Sequence, residues 1–251
     1  MIALRSLLFN VCFYLNTMLL MVIGLPTMIM GPRAVMALAR LWGRTSLALL
    51  RVICGLRVEF RGLENIPPGG RIIASKHESF LEAFAILLHA PDFSYILKRQ
   101  LIFIPVFGLY LVAGAQIAID RSRGRAALNR LADVAAAAVK AGRQIIIFPE
   151  GTRRRPGAAP QYKYGVASLY AATGAVCLPV ALNTGLYWGR RGFLRRPGTA
   201  VIEYLAPIPP GLTLDVFAAR LEGEVEAACD RLNAEAIHAD PRLAEGMESR
   251  A

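Results

Sequence analysis

Histidine and cysteine are scarce in this 251-residue chain, and acid is outnumbered by base. The three histidines are His77, His89 and His238, and the four cysteines are Cys12, Cys54, Cys177 and Cys229. No two cysteines form a CxxC pair, which argues against a zinc site or a disulfide framework and for free thiols in a reducing compartment. Lys and Arg number 29 against 18 Asp and Glu, a net charge of +11. Such a balance suits nucleic acid or an anionic membrane surface. Charge is missing altogether between Ser6 and Pro32. With 55% hydrophobic residues and a mean hydropathy of +0.43, the apolar excess points to lipid. No internal repeat or low-complexity tract is evident.

The uncharged run "SLLFNVCFYLNTMLLMVIGLPTMIMGP" is long enough to span a bilayer as a helix. Asn10, Asn16 and Thr17 interrupt it, and Gly24 with Pro26 can bend it. A single Arg precedes it and no small-x-small site follows, so a cleaved signal peptide fits less well. Arg33, Arg40, Arg44 and Arg51 come after it. If the run spans, this bias puts the bulk of the chain on the cytoplasmic side of an inner membrane. Residues 34–50 carry their arginines among Ala, Leu, Met and Trp42, as an interfacial helix would. A bent pair of helices that enters one leaflet and returns fits equally. A second uncharged stretch, Leu101–Ile119, is long enough to span too. Pro105, Gly108 and Gly114 break it, which favours a segment within the domain.

After Gly55 the pattern changes to short apolar runs: "LRVEF", "RIIAS", "YILK", "QIAID", "RQIIIF", "VCLPVAL" and "TAVIEYL". Each is bounded by Gly, Pro or charge and reads as a strand. Helical stretches lie between several of them, at 126–140 and 163–172, and a long amphipathic helix is expected over 213–236. The predicted fold is α/β, a mixed and largely parallel sheet flanked by helices and preceded by a membrane-associated helical segment. The expected division is membrane-anchoring helices over 1–54, an α/β domain over 55–240, and a frayed tail over 241–251.

Chemistry gathers at strand ends. In "KHESFLE", His77 follows "RIIAS" and Glu82 lies five residues on. On a regular helix five residues turn the chain by about 140° and the two would point apart. They meet if His77 lies in the loop and Glu82 in the first turn of the next helix. A carboxylate there fixes the imidazole tautomer, and the other ring nitrogen can take a proton from a hydroxyl. Glu78 is a rival carboxylate whose neighbouring position directs it elsewhere. In "FPEGTRRRPG", Gly151 permits a tight turn, Glu150 can accept hydrogen bonds from hydroxyls, and Arg153 to Arg155 offer cations to a phosphate. This stretch lacks the GxxxxGK[ST] of a nucleotide loop. In "AIDRSRG", Arg121 is another phosphate candidate beside Asp120. "CLPVAL" reads as an edge strand because of Pro179.

Taken in order, these blocks resemble the glycerolipid acyltransferase family: a His-x4-acid at 77–82, "IDR" at 119–121, "FPEGTR" at 148–153 and "LPV" at 178–180, with "YKYG" at 162–165 after the third. The resemblance covers residues 57–210, and "FPEGTR" is its most specific piece. This chain has Lys76 where the family usually has Asn before the His, and Glu82 where it has Asp. The resemblance implies transfer of an acyl chain from a thioester to the sn-2 hydroxyl of 1-acylglycerol 3-phosphate, with His77 as general base and Glu82 orienting it. Arg121 and Arg153 would hold the acceptor phosphate with help from Lys163, and Glu150, Gly151 and Thr152 would shape the glycerol site. It implies no metal or prosthetic group. The donor would be acyl-coenzyme A or acyl carrier protein, and the basic "WGRRGFLRR" at 188–196 could meet either one or anionic lipid. Alternative acceptors are another lyso-lipid, such as a lyso-amino-acid lipid, or glycerol 3-phosphate. A non-catalytic protein that binds anionic lipid or nucleic acid explains the charge but neither motif, so no nucleic acid partner is expected.

Overall fold

A computed structural model describes residues 1–120 and 124–247, with the backbone alone for 124–129. The charge-free run forms a single helix, α1 (Ile2–Ile23). A four-residue turn of helix, α2 (Thr27–Met30), and Gly31 at φ 96° reverse the chain into α3 (Pro32–Leu49). Pro32 at the first turn of α3 needs no N–H partner there. The two long helices pack side by side. Asn16 donates its side-chain amide to the Thr45 hydroxyl at 2.9 Å, and the Trp42 indole donates to the Thr17 hydroxyl at 2.9 Å. Two of the polar interruptions of α1 thus lie in the hairpin seam. Its outer face exposes Leu4, Leu7, Leu8, Val11, Leu15 and Leu19. By length and composition α1 is able to cross a membrane.

The α/β part runs β1 (Leu56–Arg61), β2 (Arg71–Ser75), α4 (Leu81–Ala85), β3 (Phe93–Lys98), α5 (Phe107–Ala113), β4 (Ile117–Ile119), α6 (Gly124–Lys140), β5 (Gln144–Ile147), α7 (Gly165–Thr173), β6 (Cys177–Leu182), α8 (Thr184–Tyr187), β7 (Gly198–Tyr204) and α9 (Leu214–Ala239). All seven strand-like runs of the sequence are strands. They form one sheet in the order β1-β7-β6-β2-β5-β3-β4. Every pair is parallel except β6 with β7. The central strands are buried on both faces, which is why "RIIAS" and "QIII" are apolar without alternation. Ile73 and Ile146 face α1, α3 and α4, while Ile72 and Ile145 face α7 and α9. Each such fully buried side chain contributes roughly 1.5–3 kcal/mol. Phe9 and Phe13 of α1 belong to the same core as Phe84 and Trp188. The N-terminal helices are therefore built onto the sheet rather than appended to it.

Leu101–Ile119 is a broken segment within the domain, as Pro105, Gly108 and Gly114 favoured: Arg99–Phe103 is 3-10, α5 covers only Phe107–Ala113, and β4 follows. Two expectations need revision. Pro179 does not mark an edge strand, since β6 lies between β7 and β2. The Leu205 N–H donates to the Pro179 carbonyl, and the next exchange with β6 is the Cys177–Ile208 bridge. Three residues oppose two across this bulge, so the ladder asks for no N–H at 179. The expected frayed tail is docked as far as Met247: Pro241–Gly246 form a 3-10 helix, Leu243 is buried, and Arg196 pairs with Glu245 at 2.8 Å.

Candidate active site

Strand order reverses around β2, whose neighbours β5 and β6 come from later in the chain. The carboxyl ends of strands at such a point form a natural crevice. His77 lies in the loop that leaves β2, and Glu82 is the second residue of α4. Its Nδ1 stands 2.8 Å from Glu82 Oε1. The Glu78 and Ser79 N–H groups donate to the same oxygen at 2.8 and 2.7 Å, and the Thr184 hydroxyl donates to Oε2 at 2.7 Å. Four donors thus fix a carboxylate that is fully buried. With Glu82 as acceptor, Nδ1 carries the ring proton and Nε2 is left as the acceptor. The imidazole stacks on Phe148 with ring centroids 3.9 Å apart. Its carbonyl accepts the Arg154 N–H at 2.8 Å, which ties the His77 loop to the loop after β5.

His77 opens into a cavity of about 1320 Å³ that runs beneath α1 and α3. Gly151, Thr152, Arg153 and Lys163 line the same cavity. Gly151 sits at φ 65°, where a side chain would be strained. Neither Arg153 nor Lys163 has a side-chain partner among the described residues. The walls are mostly apolar, among them Phe13, Met36, Trp42, Leu101 and Tyr110. Glu150 departs from the sequence expectation. It is buried and turned away from the cavity, with Oε1 3.2 Å from Lys76 Nζ. Lys76 also reaches Glu226 of α9 at 2.7 Å, and the Tyr162 hydroxyl donates to that carboxylate at 3.1 Å. Glu150 therefore anchors the "FPEGTR" turn from behind. Arg121 lies outside the described residues.

The acyltransferase family profile matches residues 57–183. This chain belongs to that family. Over 158 residues it is 41% identical to the 1-acyl-sn-glycerol-3-phosphate acyltransferase of Pseudomonas aeruginosa, covering 63% of this chain and 62% of that protein. Over 180 residues it is 32% identical to the protein of the same name from Cocos nucifera, covering 70% and 58%. The chain thus spans less than two thirds of the length of these curated relatives. The crystal structure of the 1-acyl-sn-glycerophosphate (LPA) acyltransferase PlsC from Thermotoga maritima shares the fold, with a TM-score of 0.77 over 93% of this chain and 98% of that one, at 23% identity.

This acyltransferase site also holds residues that sequence reasoning missed. Lys98 ends β3 on the same sheet edge and lines the cavity; its place at the end of the "YILK" run was the available signal. Thr184 and Glu226 carry none, because each reaches its partner across more than a hundred residues. Glu78, as expected, turns away from His77 and accepts the Gly185 N–H at 3.1 Å. A Cβ at Gly185 would stand 2.8 Å from the Glu78 Cβ, so this close approach needs glycine. Burial pushes the Glu78 carboxyl well above its ordinary range; Lys76 opposes that shift and Glu82 adds to it.

The Glu78 shift has a sign that can be checked. Between its ordinary and its raised value, the folded chain holds a proton that the unfolded chain has lost. Stability therefore falls as pH climbs through that window. Glu78→Gln should flatten this fall, read as the difference in Tm between about pH 5 and about pH 8. Thermal melts at the two pH values check it, and an unchanged slope would clear Glu78 as the source.

Proposed function

We propose that this acyltransferase moves a fatty acyl chain from a thioester to the sn-2 hydroxyl of 1-acylglycerol 3-phosphate, giving phosphatidic acid. The observation that carries this is the 2.8 Å His77–Glu82 pair opening into a largely apolar cavity that also holds Arg153 and Lys163. Nε2 of His77 takes the hydroxyl proton as the oxygen attacks the thioester carbonyl. The tetrahedral intermediate collapses, the C–S bond breaks, and the imidazolium returns its proton to the leaving thiolate. Glu82 orients the ring and stabilises the imidazolium. No nucleophilic side chain, metal or prosthetic group enters this route. Acyl-coenzyme A and acyl carrier protein both supply the thioester.

Arg153 and Lys163 hold the acceptor phosphate, joined by Lys98, with Arg121 assigned to the same task by motif. Thr152 and the Gly151 backbone shape the glycerol site. The apolar walls receive acyl chain. On this reading the protein works at the inner membrane with its site on the cytoplasmic side. Arg33, Arg40 and Arg44 ride on α3 alongside α1, so a fully spanning α1 would carry guanidinium groups toward the hydrocarbon centre, at roughly 2.5–3.5 kcal/mol each. A hairpin lying in one leaflet, with the outer leucines of α1 in the acyl region, avoids that.

Purified protein given a labelled acyl donor and lysophosphatidic acid should form phosphatidic acid. Glycerol 3-phosphate and a lyso-amino-acid lipid serve as rival acceptors, and transfer to one of these alone overturns the acceptor assignment. Arg153→Ala should raise the acceptor KM by roughly 10–100-fold, the worth of a lost charge-assisted hydrogen bond, and leave the donor KM nearly unchanged. An unchanged acceptor KM would remove Arg153 from the phosphate site.

A further inference from the structure

Arg195 occupies the opposite flank of the cavity from Arg153 and Lys163. Those cations come from the loop after β5, and Lys98 from the end of β3, on one side of β2. Arg195 lies between β6 and β7, on the other side. Its side chain is only 7% exposed yet lines the cavity. The guanidinium stacks on Trp188, 4.2 Å from the ring centroid, and lies 5.5 Å from that of Phe9. Nη1 donates to the Phe193 carbonyl, and its backbone N–H donates to the Ser6 hydroxyl at 2.9 Å. Among the described residues no carboxylate pairs with it, and its buried Nε has no partner.

A buried guanidinium without a counter-charge is unfavourable. Burial lowers the Arg195 pKa. Cation–π contact with Trp188 offsets part of this, about 2 kcal/mol for a desolvated pair, and neutralises no charge. What is missing is an anion on the cavity side. Direct transfer requires two substrates to meet at His77. The acceptor's phosphate already has the cations after β5 and at the end of β3. The thioester donors share one anionic feature, the phosphate of the phosphopantetheine arm. At roughly 4.8 Å between strands, β7 lies about 10 Å from β2, a span that an extended arm reaches.

We propose that Arg195 binds the phosphate of the acyl donor's phosphopantetheine arm, a subsite separate from the acceptor phosphate site. The assignment rests on the acyl-transfer reading above. It is tested with acyl-4′-phosphopantetheine and acyl-pantetheine, which differ only in that phosphate. The wild-type enzyme should favour the phosphorylated arm in kcat/KM by roughly 10-fold or more. Arg195→Met keeps the stem and removes the charge. It should erase that preference by raising the KM for the phosphorylated donor, while kcat/KM for acyl-pantetheine stays within about two-fold. Arg195→Lys should recover part of the preference.

Equal losses with both donors would make Arg195 a mere bolt between α1 and the 188–196 segment, and overturn the proposal. A rise in the lysophosphatidic acid KM would assign the guanidinium to an acceptor or bilayer phosphate and overturn it too. Should Arg195→Met fail to fold, the wild-type comparison decides, and equal use of the two arms sinks the subsite. Wild-type transfer without phosphate dependence removes the subsite alone. No wild-type transfer from any donor removes the acyl-transfer reading and the subsite with it.

Discussion

His77→Ala should lower acyl transfer by roughly 10²–10⁴-fold with little change in Tm. The ring is the only group in the 76–82 loop that both faces the cavity and is bonded to a fixed carboxylate. Removing it leaves the acceptor hydroxyl without a base. The stability effect is small because the lost contacts are one stack on Phe148 and one bond to Glu82, whose carboxylate keeps three other donors. Glu82→Gln is a milder change. An amide oxygen can stay on His77, Glu78 and Ser79, and its NH₂ then meets Thr184, whose hydroxyl turns to accept. Tautomer and position survive and only the charge is lost, so the rate should fall less than with His77→Ala. Glu82→Asp keeps the charge but withdraws it by a methylene, about 1.5 Å, and should retain part of the activity. Single-turnover rates with the acceptor saturating, alongside thermal melts, check the order. His77→Ala enzyme that turns over within about ten-fold of wild type would remove the base assignment.

What was legible in the sequence was what is local. The strands could be read because burial on both faces leaves uninterrupted apolar runs, and because Gly, Pro or charge closes each one. The His77–Glu82 pair could be read because a strand end, a loop and a first helical turn all fall within eight residues, Ser75 to Glu82. Leu101–Ile119 could be read as a segment of the domain and not a spanning helix because Pro105 and its glycines break it. The misreadings involve partners far along the chain. Glu150 reads as a substrate ligand until Lys76 is seen behind it, 74 residues upstream. Pro179 reads as an edge marker until the bulge opposite it is known, and that depends on where β7 leaves the ladder. Trp188 and Arg195 sit in a basic stretch that reads as a surface for the acyl donor or anionic lipid. Arg190 and Arg191 are indeed exposed, but α1 covers the other two. No property of residues 188–196 announces that cover.

Lys76→Met should destabilise the protein by about 3–5 kcal/mol, the usual effect of removing one partner from a buried ion pair. At this chain length that is a Tm loss on the order of 10 °C. Lys76 is 2% exposed and Glu150 1%, so neither carboxylate nor ammonium can turn to water when its partner goes. Glu150 and Glu226 draw the Lys76 ammonium above its ordinary value even though burial works against its charge. Its stabilising effect is therefore fully present below the ordinary lysine pKa and is lost only as pH rises through the raised one. Glu226→Gln should be milder, since Glu226 is 14% exposed and Lys76 keeps Glu150. The triple variant Lys76→Met, Glu150→Gln, Glu226→Gln removes all three charges of the cluster and should regain much of the lost stability, less what the 4.0 Å Arg154–Glu150 contact supplies. A Lys76→Met protein with wild-type Tm would mean that the three groups are not coupled as described. The same cluster joins β2, the "FPEGTR" turn and α9 directly behind His77. A surviving Lys76→Met enzyme should therefore show a raised acceptor KM before its kcat falls, because Arg153 shifts with Glu150 while His77 stays held by Glu82.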